Sequence, residues 1–196
     1  KSWMAGLFCE HLILHGYCLC VIDPEGDYST LESLPGVTVF SGESPPPRIS
    51  TVAHALRYPG ASVVLDLSLL THEEKVAYVR ELLPMLGALR RESGLPHWIV
   101  VDEAHYFLQP SAVGKNADRE MAAYVMITYR PSHLDPVLAG SAETIIATPL
   151  KNRAEADFLA ALCGAGVETD WAEQLADLGI DEAAMLPCRN KTAKER

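Results

Sequence analysis

At 196 residues, 48% hydrophobic and 21% charged, the chain has the size and make-up of one globular domain with a sizeable core. Its 26 acidic against 16 basic residues, a net charge of −10, exclude a broad basic surface for gripping nucleic acid and leave room only for a few basic loops lining a pore in an assembly. No apolar run approaches the ~18 residues that span a bilayer, and no charged start followed by an apolar block marks a secretory leader, so the expectation is a cytoplasmic protein without a membrane partner.

The chain opens with Lys1-Ser2 and runs directly into "WMAGLFCEHLILHG", whose apolar residues Met4, Leu7, Phe8, Leu12 and Leu14 follow a helical pattern. Gly16 ends that helix. A helix with no capping residue and no preceding loop reads as one cut from its context, with residues expected upstream of Lys1. "YCLCVID", Tyr17–Asp23, is a continuous apolar strand that ends in an acid. Five cysteines without framework spacing argue against a disulfide scaffold, and Cys18 and Cys20 read as buried thiols sharing one strand face. "GVTVF", Gly36–Phe40, is a short strand. "ESPPPR" is a stiff loop because three consecutive prolines favour an extended chain.

A short helix over Ile49–Tyr58 precedes a third strand, "ASVVLDLS", Ala61–Ser68. Thr71 followed three residues later by Glu74 is a capping box for a long helix. Val76, Val79, Leu82, Leu83, Leu86 and Leu89 form its apolar face, with Pro84 a possible kink point. "SGLP" closes it and "HWIVVD" is the fourth strand. "AAYVMIT", Ala122–Thr128, and "TIIAT", Thr144–Thr148, are the fifth and sixth. Helices over Asn152–Cys163 and Thr169–Leu178 follow, and the charged residues 189–196 form a tail after a core of residues 1–188. Strands that are solidly apolar rather than alternating mark a sheet covered on both faces. Their alternation with helices predicts an α/β fold with a parallel sheet, whose ligands bind beyond the carboxyl ends of the strands. Asp23, Asp66, Asp102 and Glu103 fall at those ends.

Asp66 reads as an acid that starts the next turn or helix. Asp102 and Glu103 differ because a second adjacent carboxylate adds repulsion and desolvation that a bound cation offsets. Such a pair fits a magnesium–phosphate site, with the strand-end aspartate holding the ion and the glutamate polarising an attacking water. That chemistry requires a phosphate-binding loop ending in Lys-Ser, and the only Lys-Ser pair is Lys1-Ser2 at a helix start.

Together these motifs resemble those of the HerA–FtsK superfamily of P-loop ATPases. "KSWMAGLFCEHLILHGYCLCVIDPEGDY" looks like the segment from the phosphate-binding lysine to an Asp-Pro-x-Gly-Glu-Tyr turn, "IVVDEAHYF" is similar to the Walker B strand, and "TYRPSHL", Thr128–Leu134, is similar to a Thr-x-Arg-Pro element. The resemblance covers roughly Lys1 to Leu150. It implies a RecA-like fold of the ASCE type, truncated here at the Walker A lysine, with ATP and Mg²⁺ as cofactors. It further implies Lys1 as the lysine on the β- and γ-phosphates, Ser2 and Asp102 as Mg²⁺ ligands, and Glu103 as catalytic base. Thr128, Tyr129 and Arg130 would form the sensor element, with Arg130 catalytic. Trp3 would either touch the nucleotide or lie buried behind the phosphate-binding loop, and the turn that starts at Asp23 reads either as a loop close to the nucleotide or a neighbouring subunit or as a solvated acidic turn. The family commonly has glutamine where this chain has Tyr129, and one phenol cannot supply both groups of an amide. The resemblance also implies a homo-oligomeric ring, often of six, that moves DNA or peptide, completed by a neighbour's arginine for which Arg130, Arg153 and Arg119 are candidates.

Competing readings remain. "DEAH", Asp102–His105, is the letter pattern of a DEAH-box helicase, but no Ser-Ala-Thr motif and no room for a second RecA-like domain accompany it. No Asn-Lys-x-Asp guanine motif is present. A module that keeps the fold and binds nucleotide or a partner without hydrolysis is the alternative. His105 and His133 read as locally hydrogen-bonded residues.

Overall fold

A computed structural model of the chain describes residues 1–41, 45–110, 123–164 and 170–187. Part of the proline loop, Arg119, Ala122, Thr169 and the charged tail lie outside the described residues. The chain divides into two compact units, Lys1–Tyr129 and Arg130–Arg196.

In the first unit, helix α1 (Ser2–Leu14) is followed by strand β1 (Leu19–Asp23), strand β2 (Val37–Phe40), helix α2 (Ile49–Leu56), strand β3 (Ser62–Asp66), helix α3 (His72–Ser93), strand β4 (Trp98–Val101) and strand β5 (Tyr124–Met126). The five strands form one sheet in the order β2-β3-β1-β4-β5, every pairing parallel. This is an α/β, RecA-like arrangement. The register sets Asp23 beside Asp66 and Ile22 beside Val101, so Asp102 follows at the same end of the sheet. β1 is buried along its whole length because strands flank it on both sides and helices cover the sheet.

One sheet face carries Leu19, Val21, Val64 and Val100, packed with Ala5, Cys9, Leu12 and Ile13 of α1. The opposite-facing Cys20, Ile22, Val63, Leu65, Ile99 and Val101 are equally buried, and α2 packs on β3 and α3. The buried stripe of α1 corrects the expected one. Of Met4, Leu7, Phe8, Leu12 and Leu14, only Leu12 is buried, while Leu7, Phe8 and Leu14 are exposed. Apolar residues surround this helix, so periodicity alone cannot choose its face; the small Ala5 and Cys9 let it approach the sheet. At its end Gly16 has φ 83°, the Gly16 N–H bonds the Ile13 carbonyl and the Tyr17 N–H bonds the Leu12 carbonyl, a Schellman closure.

The capping box on α3 is present in both directions, and Gly94 ends the helix with φ 75°. The helix continues through Pro84. Its buried residues are Lys75, Val79, Leu82, Leu86, Gly87 and Leu89, with Val76 and Leu83 half-buried. Lys75 is the unexpected member of that stripe.

The second unit holds helix α4 (Pro136–Ala139), strand β6 (Thr144–Ala147), helix α5 (Arg153–Cys163), helix α6 (Trp171–Ala176) and strand β7 (Ala184–Pro187). β6, expected as the sixth strand of the series, instead pairs antiparallel with β7. β7 is absent from the sequence reading because "AMLP" has weak strand propensity and ends in proline. Ala147, Ala156, Leu159, Cys163, Ala172, Leu175 and Leu186 form this unit's own core. The buried Glu155 carboxylate accepts both the N–H and the hydroxyl of Ser132, at 2.9 and 2.7 Å, tying the segment after Arg130 to α5.

Candidate functional site

Lys1 and the acidic pair are far apart in sequence and together in space. The Lys1 ammonium lies 3.5 Å from Asp102 Oδ1 and donates to Glu103 Oε1. The sheet brings them together: α1 packs over β1 and β4, so the start of the helix lies at the carboxyl end of β4. Asp102 is 1% exposed. Its Oδ1 also accepts the Glu103 N–H at 2.8 Å, and its Oδ2 accepts the Tyr28 hydroxyl at 3.1 Å. Both oxygens are thus oriented by donors, as a buried carboxylate requires.

Glu103 turns the chain. Its backbone is left-handed, φ 44° and ψ 43°, a conformation that costs a side chain with a Cβ and is tolerated where surrounding structure imposes it. The turn leads into a short 3₁₀ segment, Ala104–Tyr106, and directs the Glu103 side chain back over the strand end. Oε1 faces Lys1. Oε2 is buried, has no hydrogen-bond donor among the described residues, and lies 3.3 Å from His105 Nδ1.

The residues after β5 complete the cluster. Thr128 Oγ1 is hydrogen-bonded to His105 Nδ1 at 3.1 Å. The Tyr129 ring packs edge-on against the His105 ring at 4.6 Å, and the Lys1 ammonium lies 5.7 Å from the Tyr129 ring centre, on the electron-rich face. The local hydrogen bonding expected for His105 is therefore present. Ser2 is the first residue of α1 and half-buried, and Trp3 is 78% exposed. Arg130 begins the second unit as the residue capping Pro131–His133. Arg153 is exposed and pairs with Asp157 and Asp170, and Arg119 is outside the described residues.

Asp23 has a different fate from the one its position suggests. It is fully buried, and its carboxylate accepts the N–H groups of Glu25, Gly26 and Asp27 on Oδ1 and of Tyr28 on Oδ2, at 2.8–3.2 Å. Burial raises its pKa and the four N–H donors oppose that rise. Asp23 folds its own turn rather than presenting an oxygen outward. Asp66 is a turn former too, its Oδ1 accepting the Ser68 N–H at 2.9 Å.

Two positioning residues were not seen in the sequence. Tyr28 is buried with its hydroxyl on Asp102; burial and the Asp102 charge push its pKa up, so it stays a donor. Lys75 donates to the Pro24 carbonyl at 2.7 Å and lies 3.9 Å from Glu25, pinning the turn to α3. A tyrosine five residues after a strand-end acid carries no separate signal, and a lysine within a helical stripe reads as surface. Cys9, beneath the site, is pushed up to about 12 by burial and then by the Asp102 charge, so it is a thiol and not a nucleophile.

The donor set is carboxylate, hydroxyl and ammonium, which suits a hard divalent cation and a polyphosphate. Among the described residues no cluster of three or more His, Cys, Asp or Glu could hold a metal by itself.

No family model matches the chain, and a search of curated proteins finds no relative. Solved structures do match. The genome packaging NTPase B204 from Sulfolobus turreted icosahedral virus 2 in complex with ATP-gammaS aligns with a TM-score of 0.62 at 17% identity, covering 96% of this chain and 88% of that one. The same protein in complex with AMPPCP aligns at 0.59 and 17%, over 92% and 81%; its sulfate complex aligns at 0.60 and 17%, over 94% and 85%. The likeness to this packaging NTPase is one of fold. No helix among the described residues is long and apolar enough to cross a membrane.

Proposed function

We propose that this chain is the ATP-hydrolysing core of a P-loop motor of the HerA–FtsK type. The observation that carries the reading is the convergence of the Lys1 ammonium on Asp102 and Glu103 at the carboxyl end of β4. An ammonium held by two carboxylates is placed to exchange one of them for a phosphate oxygen. Lys1 would then bridge the β- and γ-phosphates, and Ser2 and Asp102 would hold Mg²⁺, which would supply charge neutralisation of the triphosphate. Once Lys1 turns to the phosphates, Glu103 Oε1 is released to accept the proton of a water. The water oxygen bonds the γ-phosphorus, the bond to the β–γ bridging oxygen breaks, and ADP leaves with the negative charge. Thr128 and Tyr129 monitor the γ-phosphate from the end of β5. Arg130 serves catalysis, from its own or a neighbouring subunit.

Neighbours crystallised with ATP-gammaS and AMPPCP support the nucleotide assignment, and their packaging role favours DNA as the cargo of a cytoplasmic homo-oligomeric ring, six-membered by resemblance. The −10 charge confines any DNA contact to pore loops.

The test is titration of the full protein with ATP, with and without Mg²⁺, followed by phosphate release. Mg²⁺-dependent binding and turnover are expected. Binding without turnover supports the non-hydrolysing module instead, and the absence of both binding and turnover defeats the reading. Sedimentation with nucleotide and salt-dependent DNA binding test the ring and its cargo.

A further inference from the structure

We infer that His105 is a positioning residue for Glu103, bracketing its second carboxylate oxygen against Thr128 at the end of β5. The inference rests on the hydrolytic reading of the site and assigns a role to a residue which that reading leaves unused. Three observations meet at this ring. His105 is buried and follows Glu103 by two residues on the same turn. Its Nδ1 lies 3.3 Å from Glu103 Oε2 and 3.1 Å from Thr128 Oγ1. Glu103 itself is held in a left-handed backbone conformation with Oε2 buried and without a hydrogen-bond donor among the described residues.

The tautomer follows from the neighbours. An ionised carboxylate only accepts, so a bare Nδ1 lone pair facing Oε2 would repel it. Nδ1 therefore carries the proton and shares it between Thr128 Oγ1, the better-aligned acceptor here, and Glu103 Oε2. When the Lys1 ammonium leaves Oε1 for phosphate, Glu103 loses that charged partner. A glutamate has three side-chain torsions, and a base displaced by about 1 Å can lose on the order of 100-fold in rate. The Nδ1–H on Oε2 holds one end of the carboxylate while Oε1 meets the water. Because Thr128 shares that hydrogen, the position of the base is tied to the β5 end, where Tyr129 packs edge-on against the same ring. This couples the sensor element and the base through one imidazole.

The tautomer can be read without turnover. Ring ¹⁵N–¹H spectra of the full protein should show His105 protonated at Nδ1, and Glu103→Gln and Thr128→Val should each shift that resonance. A protonated Nε2 with bare Nδ1, or a signal indifferent to both changes, overturns the inference. In turnover, His105→Ala should lower kcat by roughly 10–100-fold with little change in KM for ATP. His105→Asn places an amide N–H near the former Nδ1 and should recover part of the loss; His105→Gln, whose amide reaches the Nε2 position, should not. Equal rates for Asn and Gln, or an unaffected Ala variant, overturn it. If the Ala variant does not fold, the Asn–Gln comparison and the spectra still decide. An inactive parent protein defeats the reading of the site and the inference with it, whereas an active parent with an indifferent His105 defeats the inference alone.

Discussion

Two apolar strands lie side by side in one sheet, and each ends in a buried aspartate. After β1 the chain reads Asp-Pro-Glu-Gly-Asp-Tyr; after β4 it reads Asp-Glu-Ala-His. Asp23 spends both oxygens on four N–H groups of its own turn. Asp102 takes one backbone N–H, one hydroxyl from the other turn, and leaves Oδ1 facing an ammonium. Pro24 and Gly26 (φ 84°) allow the first chain to curl round its acid. Glu103 instead takes the left-handed position itself, so the chain leaves the strand with a carboxylate where a glycine would sit comfortably. The same strand ending thus builds a scaffold in one place and the proposed reactive centre in the other, and the Tyr28 hydroxyl joins them.

The contrast can be broken at its active side first. Glu103→Gln should reduce ATP turnover by about 10²–10⁴-fold while nucleotide affinity is retained, measured by phosphate release and equilibrium binding; unchanged turnover would remove Glu103 as the base. On the scaffold side, Asp23→Ala strips four N–H groups of their acceptor and should cost roughly 3 kcal/mol or more in urea unfolding. A loss well below 1 kcal/mol would mean the turn folds without its acid. Tyr28→Phe tests the joint between the two turns: about 1–3 kcal/mol of stability is expected to go with the lost donor to Asp102, together with a smaller drop in turnover than Glu103→Gln gives. Thr71→Ala, which removes an N-cap on α3 outside both turns, should cost only about 1 kcal/mol and leave turnover per folded molecule unchanged.

Much of this frame was legible beforehand, for reasons that lie in particular residues. Continuous apolar runs gave the strands because both sheet faces are covered, and Thr71–Glu74 with Gly94 gave the ends of α3 because capping is local chemistry. The meeting of Lys1 with Asp102 and Glu103 was inferred from motif order and is seen in space. Hidden from the sequence were the strand order, the face of α1, the buried Lys75 and the Tyr28–Asp102 bond. Each depends on a pairing between distant residues that local pattern does not encode. β6 misled for the same reason: "TIIAT" says strand but not which partner it has, and its partner β7 carries almost no strand signal.

Lys75 gives the architecture a last consequence. Its ammonium is plugged into the Pro24 carbonyl beneath the turn whose tyrosine, four residues on, steadies Asp102. Helix α3 and Asp102, the proposed Mg²⁺ ligand, therefore share a footing two hydrogen bonds deep. A substitution on the far side of the sheet that tilts this 22-residue rod is transmitted to the place where a cation would be gripped, so variants there belong in any search for mutants that bind nucleotide yet idle.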